Sequence, residues 1–200
     1  MSPPACHVSA RRQRGVSLIE VLVAVFVLAV GLLGTASLQL TSKRSNLEAR
    51  DRATATMVAK GFIERMRMNP SALGTYTNAG AGRTLDGTTT AAVDCSADCT
   101  IAQIAALDLH ELEQELVGNA EQIGGNPVGG ISTPRVCIDG PDGGSGVYAV
   151  AIAWRGLTRL SDPTLSTCGQ GSGNYDTSDG AEDDVYRRVL VLQTFISVPP

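Results

Sequence analysis

The chain has 200 residues, with 16 Lys and Arg against 20 Asp and Glu and a formal charge of −4. That length suits one ordinary domain with an added segment, and without surplus cation to displace counterions from phosphates the composition argues against a nucleic-acid partner. The charge is uneven: Arg11, Arg12 and Arg14 stand before an apolar run, while Asp176, Asp179, Glu182, Asp183 and Asp184 gather near the other end.

The apolar run extends from Val16 to Leu40, with Glu20 its one ionisable residue. A helix rises about 1.5 Å per residue and the hydrocarbon core is about 30 Å thick, so roughly 20 residues suffice to span it. The stretch predicts a membrane helix. A carboxylate inside such a helix costs a few kcal/mol unless it reaches the interface or meets a partner, so it carries either a snorkelling or a functional reading. Three kinds of segment share this outline: a secretory signal cut near Gly34-Thr35-Ala36-Ser37, an uncleaved signal anchor, and a precursor whose basic leader is removed ahead of the apolar residues. The leader stops at Gly15 and Val16-Ser17-Leu18-Ile19-Glu20 follows at once, an order that favours the third.

From Lys43 to Met68 the pattern turns amphipathic, with Leu40, Leu47, Thr54, Met57, Val58, Gly61, Phe62 and Met66 at mostly helical spacing and charged residues around the rest of the cylinder. Asn69-Pro70 ends it, because the residue before proline avoids helical angles and proline cannot extend the ladder. Residues 71–94 are rich in Gly, Ala and Thr and read as loop, with one short strand near Thr88–Val93. Thr100 and Gln103 have capping-box spacing and open a second helix that stops at Gly118-Asn119. Strands are expected at 135–138, 147–154 and 188–198. In the second of these Tyr148, Val150, Ile152 and Trp154 face the helix, and Val147, Ala149, Ala151 and Ala153 face away. The glycine-rich links predict antiparallel pairing. The expected fold class is α+β, an antiparallel sheet laid on the lower half of the long helix with one extra helix and disulfides.

Cys6 lies in the leader, so an even four cysteines, Cys95, Cys99, Cys137 and Cys168, remain after its removal. Four allow three pairings. The preferred one joins Cys95 to Cys99 before the second helix and Cys137 to Cys168 between the short strand and the loop after Trp154. Disulfides fit an oxidising compartment. No metal site, cofactor or catalytic constellation is expected: His110-Glu111 lacks the second histidine of a zinc-protease helix, the acidic stretch 176–184 lacks EF-hand spacing, and the glycine-rich segments 140–146 and 169–173 have no following Lys-Ser or Lys-Thr. The chain is read as a non-enzyme.

The junction at Gly15, the apolar Val16 and the glutamate fifth from the cut resemble the processing site of type IV prepilins and pseudopilins. Val16 stands where Phe or Met is commoner. Farther on, "CSADCTIAQIAALDLHELEQEL", "RVCIDGPDGGSGVYAVAIAW" and "RRVLVLQTFI" resemble the minor pilins called type IV pilus modification protein PilV, although the tryptophan often found soon after Asp108-Leu109 is absent.

This resemblance implies a leader at 1–15 cut after Gly15 by prepilin peptidase and N-methylation at Val16. It implies a transmembrane and filament-core half-helix at 16–42, an amphipathic half at 43–69 and a periplasmic head at 70–200. Glu20 would meet the amine of Val16 on an adjoining subunit. The implied role is a structural subunit in a priming and tip complex, with other minor pilins, the major pilin and a tip adhesin as partners and no small-molecule substrate. The implied location is the inner membrane, with the N-terminus cytoplasmic, and then the pilus tip. Two alternatives are a type II secretion pseudopilin and a singly anchored periplasmic binding protein or enzyme.

Overall fold

The computed structural model describes residues 15–88, 94–96, 98–119, 121–179, 181 and 183–199. Two compact units divide the chain, Met1–Ser45 and Asn46–Pro200. The first consists, where described, of the early part of one helix, α1 (Leu18–Met68). All its described residues are exposed, and the helix is long and apolar enough to cross a bilayer.

In the second unit, α1 buries Ala55, Val58, Ala59, Phe62, Ile63 and Met66, a stripe at three- and four-residue steps. The stripe differs from the one expected. Leu47 and Met57 are exposed, and so is Gly61, because the buried face is rotated toward the small residues Ala55 and Ala59, both fully buried.

Beyond Asn69 come a 3-10 turn (Pro70–Ala72), the short α2 (Leu73–Tyr76) and β1 (Arg83–Leu85), where loop was expected. Most of the strand expected near Thr88–Val93 lies outside the described residues. The second helix, α3 (Ile101–Val117), starts at a complete capping box between Thr100 and Gln103 and ends with Gly118 in the left-handed region at φ 76°. A side chain there would run into the backbone of Gly130, 2.0 Å from where its Cβ would sit, so glycine is required for both torsion and space. A two-strand ribbon, β2 (Gln122–Ile123) and β3 (Asn126–Pro127), follows.

The main sheet has the order β1-β4-β5-β6, all antiparallel, with β4 (Arg135–Asp139), β5 (Gly146–Arg155) and β6 (Arg187–Ile196) joined as neighbours in sequence. Cys137 of β4 faces Thr84 and Ala151 in register, and Trp154 of β5 faces Arg188. Tyr148, Val150, Ile152 and Trp154 join the α1 stripe and Leu109, Leu112 and Leu116 of α3 in the main core. Ala151 and Ala153 line a second, smaller core with Cys168 and Tyr175 on the opposite face. Small side chains on that face leave room for Cys168 and Tyr175 against the sheet.

Candidate functional site

Gly15, Val16 and Ser17 precede the first turn of α1. The Ser17 carbonyl accepts from the N–H of Glu20 at 3.0 Å and of Val21 at 3.3 Å, which places Glu20 in the first turn, where a carboxylate is favoured by the helix dipole. Val16, Glu20, Val21, Ala24, Val25 and Leu28 line one shallow groove along the helix, with Glu20, Ala24 and Leu28 stacked at four-residue steps along its middle. Glu20 therefore stands on an apolar face one turn from Val16. Val16 is 71% and Leu18 82% exposed, and an uncovered apolar face of this length calls for lipid or other helices. Arg11, Arg12 and Arg14, like Cys6 and His7, lie outside the described residues.

Among the described residues the four cysteines form two disulfides. Cys95 is bonded to Cys99 ahead of α3, and Cys137 of β4 to Cys168 in the segment after β5. Among the described residues no group of three or more His, Cys, Asp or Glu is placed to hold a metal ion. The acidic segment is occupied with its own backbone: Asp176 Oδ1 accepts from the N–H of Asp183 and Asp184, and Asp183 Oδ1 from that of Thr177. Glu182 lies outside the described residues. His110 sits on α3, apart from any such cluster.

Several polar anchors of the second unit carry no local sequence signal. Glu48 Oε1 accepts from the N–H of Leu157 and Thr158, each at 3.1 Å, and from the Thr158 hydroxyl at 2.8 Å. Arg188 Nη2 reaches the same oxygen at 3.3 Å. Burial alone would raise the Glu48 carboxyl, but the Thr158 hydroxyl, the Arg188 charge and the two backbone donors together hold it below its ordinary value. Arg187 is fully buried. Its Nε meets Asp162 at 2.6 Å, and its terminal nitrogens donate to the carbonyls of Pro163, Ser166 and Cys168. Arg65 joins α1 to α3 by ion pairs with Glu111 at 2.8 Å and Glu115 at 2.6 Å. Tyr76, packed edge-on to Phe62 with ring centroids 5.6 Å apart, donates to Asp108; burial first, and the Asp108 carboxylate second, push its hydroxyl well above the usual tyrosine range.

Residues 37–110 match the family model described as Tt1218-like, Type IV pilin Tt1218, and residues 10–36 match that of the Prokaryotic N-terminal methylation motif. No similar curated protein and no similar solved structure was found. These matches are to a type IV pilin domain and to the N-methylation motif; the pilin family to which they point is one of structural subunits that interact with other pilins and with the prepilin peptidase acting on that motif.

Proposed function

We propose that this chain, with its type IV pilin domain and N-methylation motif, is a minor pilin that helps prime pilus assembly and sits in the tip complex. The observation that carries the reading is the placing of Val16 and Glu20 on one uncovered apolar face of α1, within the segment matched by the methylation motif. Prepilin peptidase cuts after Gly15, and the new amine of Val16 is methylated. In the membrane Glu20 lies near one interface. In the filament it meets the Val16 amine of an adjoining subunit, so that a charge costly in lipid becomes an attraction between protomers.

The domain boundaries follow from the same reading. Residues 1–15 are the leader, 16–42 the membrane and filament-core half of the helix, 43–69 its amphipathic half and 70–200 the head. The N-terminus stays cytoplasmic, in keeping with Arg11, Arg12 and Arg14, and the head folds in the periplasm, where Cys95–Cys99 and Cys137–Cys168 form. The head's work is to select neighbours among the minor pilins, the major pilin and a tip adhesin.

Mass spectrometry of the mature N-terminus tests the processing step. A chain beginning at Val16 with one added methyl group is expected. A chain that keeps Met1 or Ser2 in a strain with active prepilin peptidase would overturn the reading in favour of an uncleaved anchor. The priming role is tested by deletion: pilus number should fall sharply, and the protein should co-purify with other minor pilins. Co-purification with secretion components alone would assign it to a pseudopilus instead.

A further inference from the structure

A groove of about 340 Å3 lies between the β1 end of the sheet and the segment pinned by the Cys137–Cys168 disulfide, within the about 300–1,000 Å3 typical of small-molecule sites. Strand alternation builds it: Val136 and Ile138 point into the main core, so Arg135, Cys137 and Asp139 face the opposite side. Its wall is completed by the hydroxyls of Thr84, Ser166 and Thr167. This lining offers hydrogen-bonding groups and little hydrocarbon, which disfavours an acyl chain or an aromatic ligand.

Arg135 is the unsatisfied member. It is half-buried, its Nε is closed off from solvent and has no acceptor, so that its terminal nitrogens are the ones left to face the groove, and among the described residues it has no ion pair. The neighbouring Arg83 is already engaged, donating to the carbonyls of Thr75 at 2.7 Å and Tyr76 at 3.1 Å. A partly desolvated guanidinium without a partner is costly, and its planar fork matches the two oxygens of a carboxylate. Asp139, two positions beyond Cys137 on the same face, repels a second negative charge and accepts hydrogen bonds from hydroxyls.

We propose that this groove binds a small polyhydroxylated carboxylate of the uronic-acid class, with its carboxylate on Arg135 and its hydroxyls on Asp139, Ser166, Thr167 and Thr84. A free sugar acid and the terminal unit of an acidic polysaccharide share this chemistry. The proposal is independent of the pilin reading, since it concerns the head surface alone.

Isothermal titration of the full chain in detergent micelles with D-glucuronate, D-glucose and sodium sulfate tests it. Saturable one-to-one binding of glucuronate is expected, with glucose and sulfate at least about tenfold weaker. Arg135→Gln should lose glucuronate binding by a similar factor while keeping the melting temperature. If that variant fails to fold, Arg135→Lys, which keeps the charge and loses the fork, should bind severalfold more weakly. No saturable glucuronate binding, equal binding of glucose or sulfate, or an Arg135→Lys variant that binds as tightly as the unaltered chain would overturn the proposal. So would a preference for an acidic peptide over glucuronate. A tetra-uronate that binds more tightly than the monomer identifies the polysaccharide end as the source, and one that binds no better identifies the free acid.

Discussion

Glu48 of α1 and Arg188 of β6, 140 positions apart in the chain, meet at 3.3 Å, and the same carboxylate oxygen closes the turn at Leu157 and Thr158. One acceptor thus fixes the lower end of the packed helix, the last strand and the loop between β5 and the 160s. Its side chain is 26% and that of Arg188 13% exposed, so the pair is partly screened but far from a free surface bridge.

Replacing Glu48 by Gln or Ala should therefore lower stability by about 2 kcal/mol, the scale of a charge-assisted hydrogen bond left unmade, or roughly 4–8 °C in melting temperature for a unit of this size. Because the Glu48 carboxyl lies below its ordinary value of 4.5, the stabilisation is fully present above that value and fades as the pH falls through the folded value. Melting curves of the unaltered chain and Glu48→Gln should be well separated at pH 7 and converge as acidification proceeds below 4.5. A gap that stays constant would show that the charge contributes nothing.

Arg187 predicts a larger loss. It holds the 162–168 segment through Asp162 and three carbonyls, and removal strands all four acceptors. Arg187→Ala should cost about 3–5 kcal/mol in urea unfolding, and Arg187→Lys should recover only part, since an ammonium cannot serve four acceptors in the guanidinium's plane. Limited proteolysis should cut the variant first between Asp162 and Cys168.

The two disulfides should differ in weight. Cys137 and Cys168 are 31 positions apart and Cys95 and Cys99 only 4, so loop-closure entropy gives about 3–4 kcal/mol for the first and about 2 for the second. Double Ala variants measured under identical conditions should fall in that order. A reversal would mean that the Cys95 loop anchors α3 more than its length suggests.

Glu20 is tested by function rather than by stability. Because every described residue around it is exposed, Glu20→Leu should leave the head's unfolding free energy within about 0.5 kcal/mol of the unaltered value and still remove the subunit from filaments, as read by immunoblot of sheared pili. Incorporation equal to the unaltered chain would remove the proposed role of its charge.

The long helix, α3 and the strands β4, β5 and β6 were legible in the sequence because each carries a local periodic signal. The capping box at Thr100, Gly118 past the end of α3 and the Tyr148/Val150/Ile152/Trp154 alternation needed no tertiary information. β1 was not legible: Arg83-Thr84-Leu85 is a strand because β4 offers it an edge, and nothing within three residues announces that. The stripe of α1 was read rightly at Val58, Phe62 and Met66 and misplaced at its other positions for a related reason. Hydrophobicity favoured Met57 and Leu47, while packing selected Ala55 and Ala59, whose small size is legible only once a sheet lies against them. Val16 and Glu20 form a local motif and could be read directly, whereas Glu48, Arg135 and Arg187 acquire their environments from segments far away in the chain.

The order of the elements bears on biosynthesis. The helix that presents Ala55, Phe62 and Met66 is made first, while Leu190, Leu192 and Ile196, which help cover that core, are made last. A ribosome that stopped before β6 would release a product whose greasy stripe lies open and whose Glu48 lacks the Arg188 cation opposite it. Closure of the main core therefore waits on the last strand of the chain.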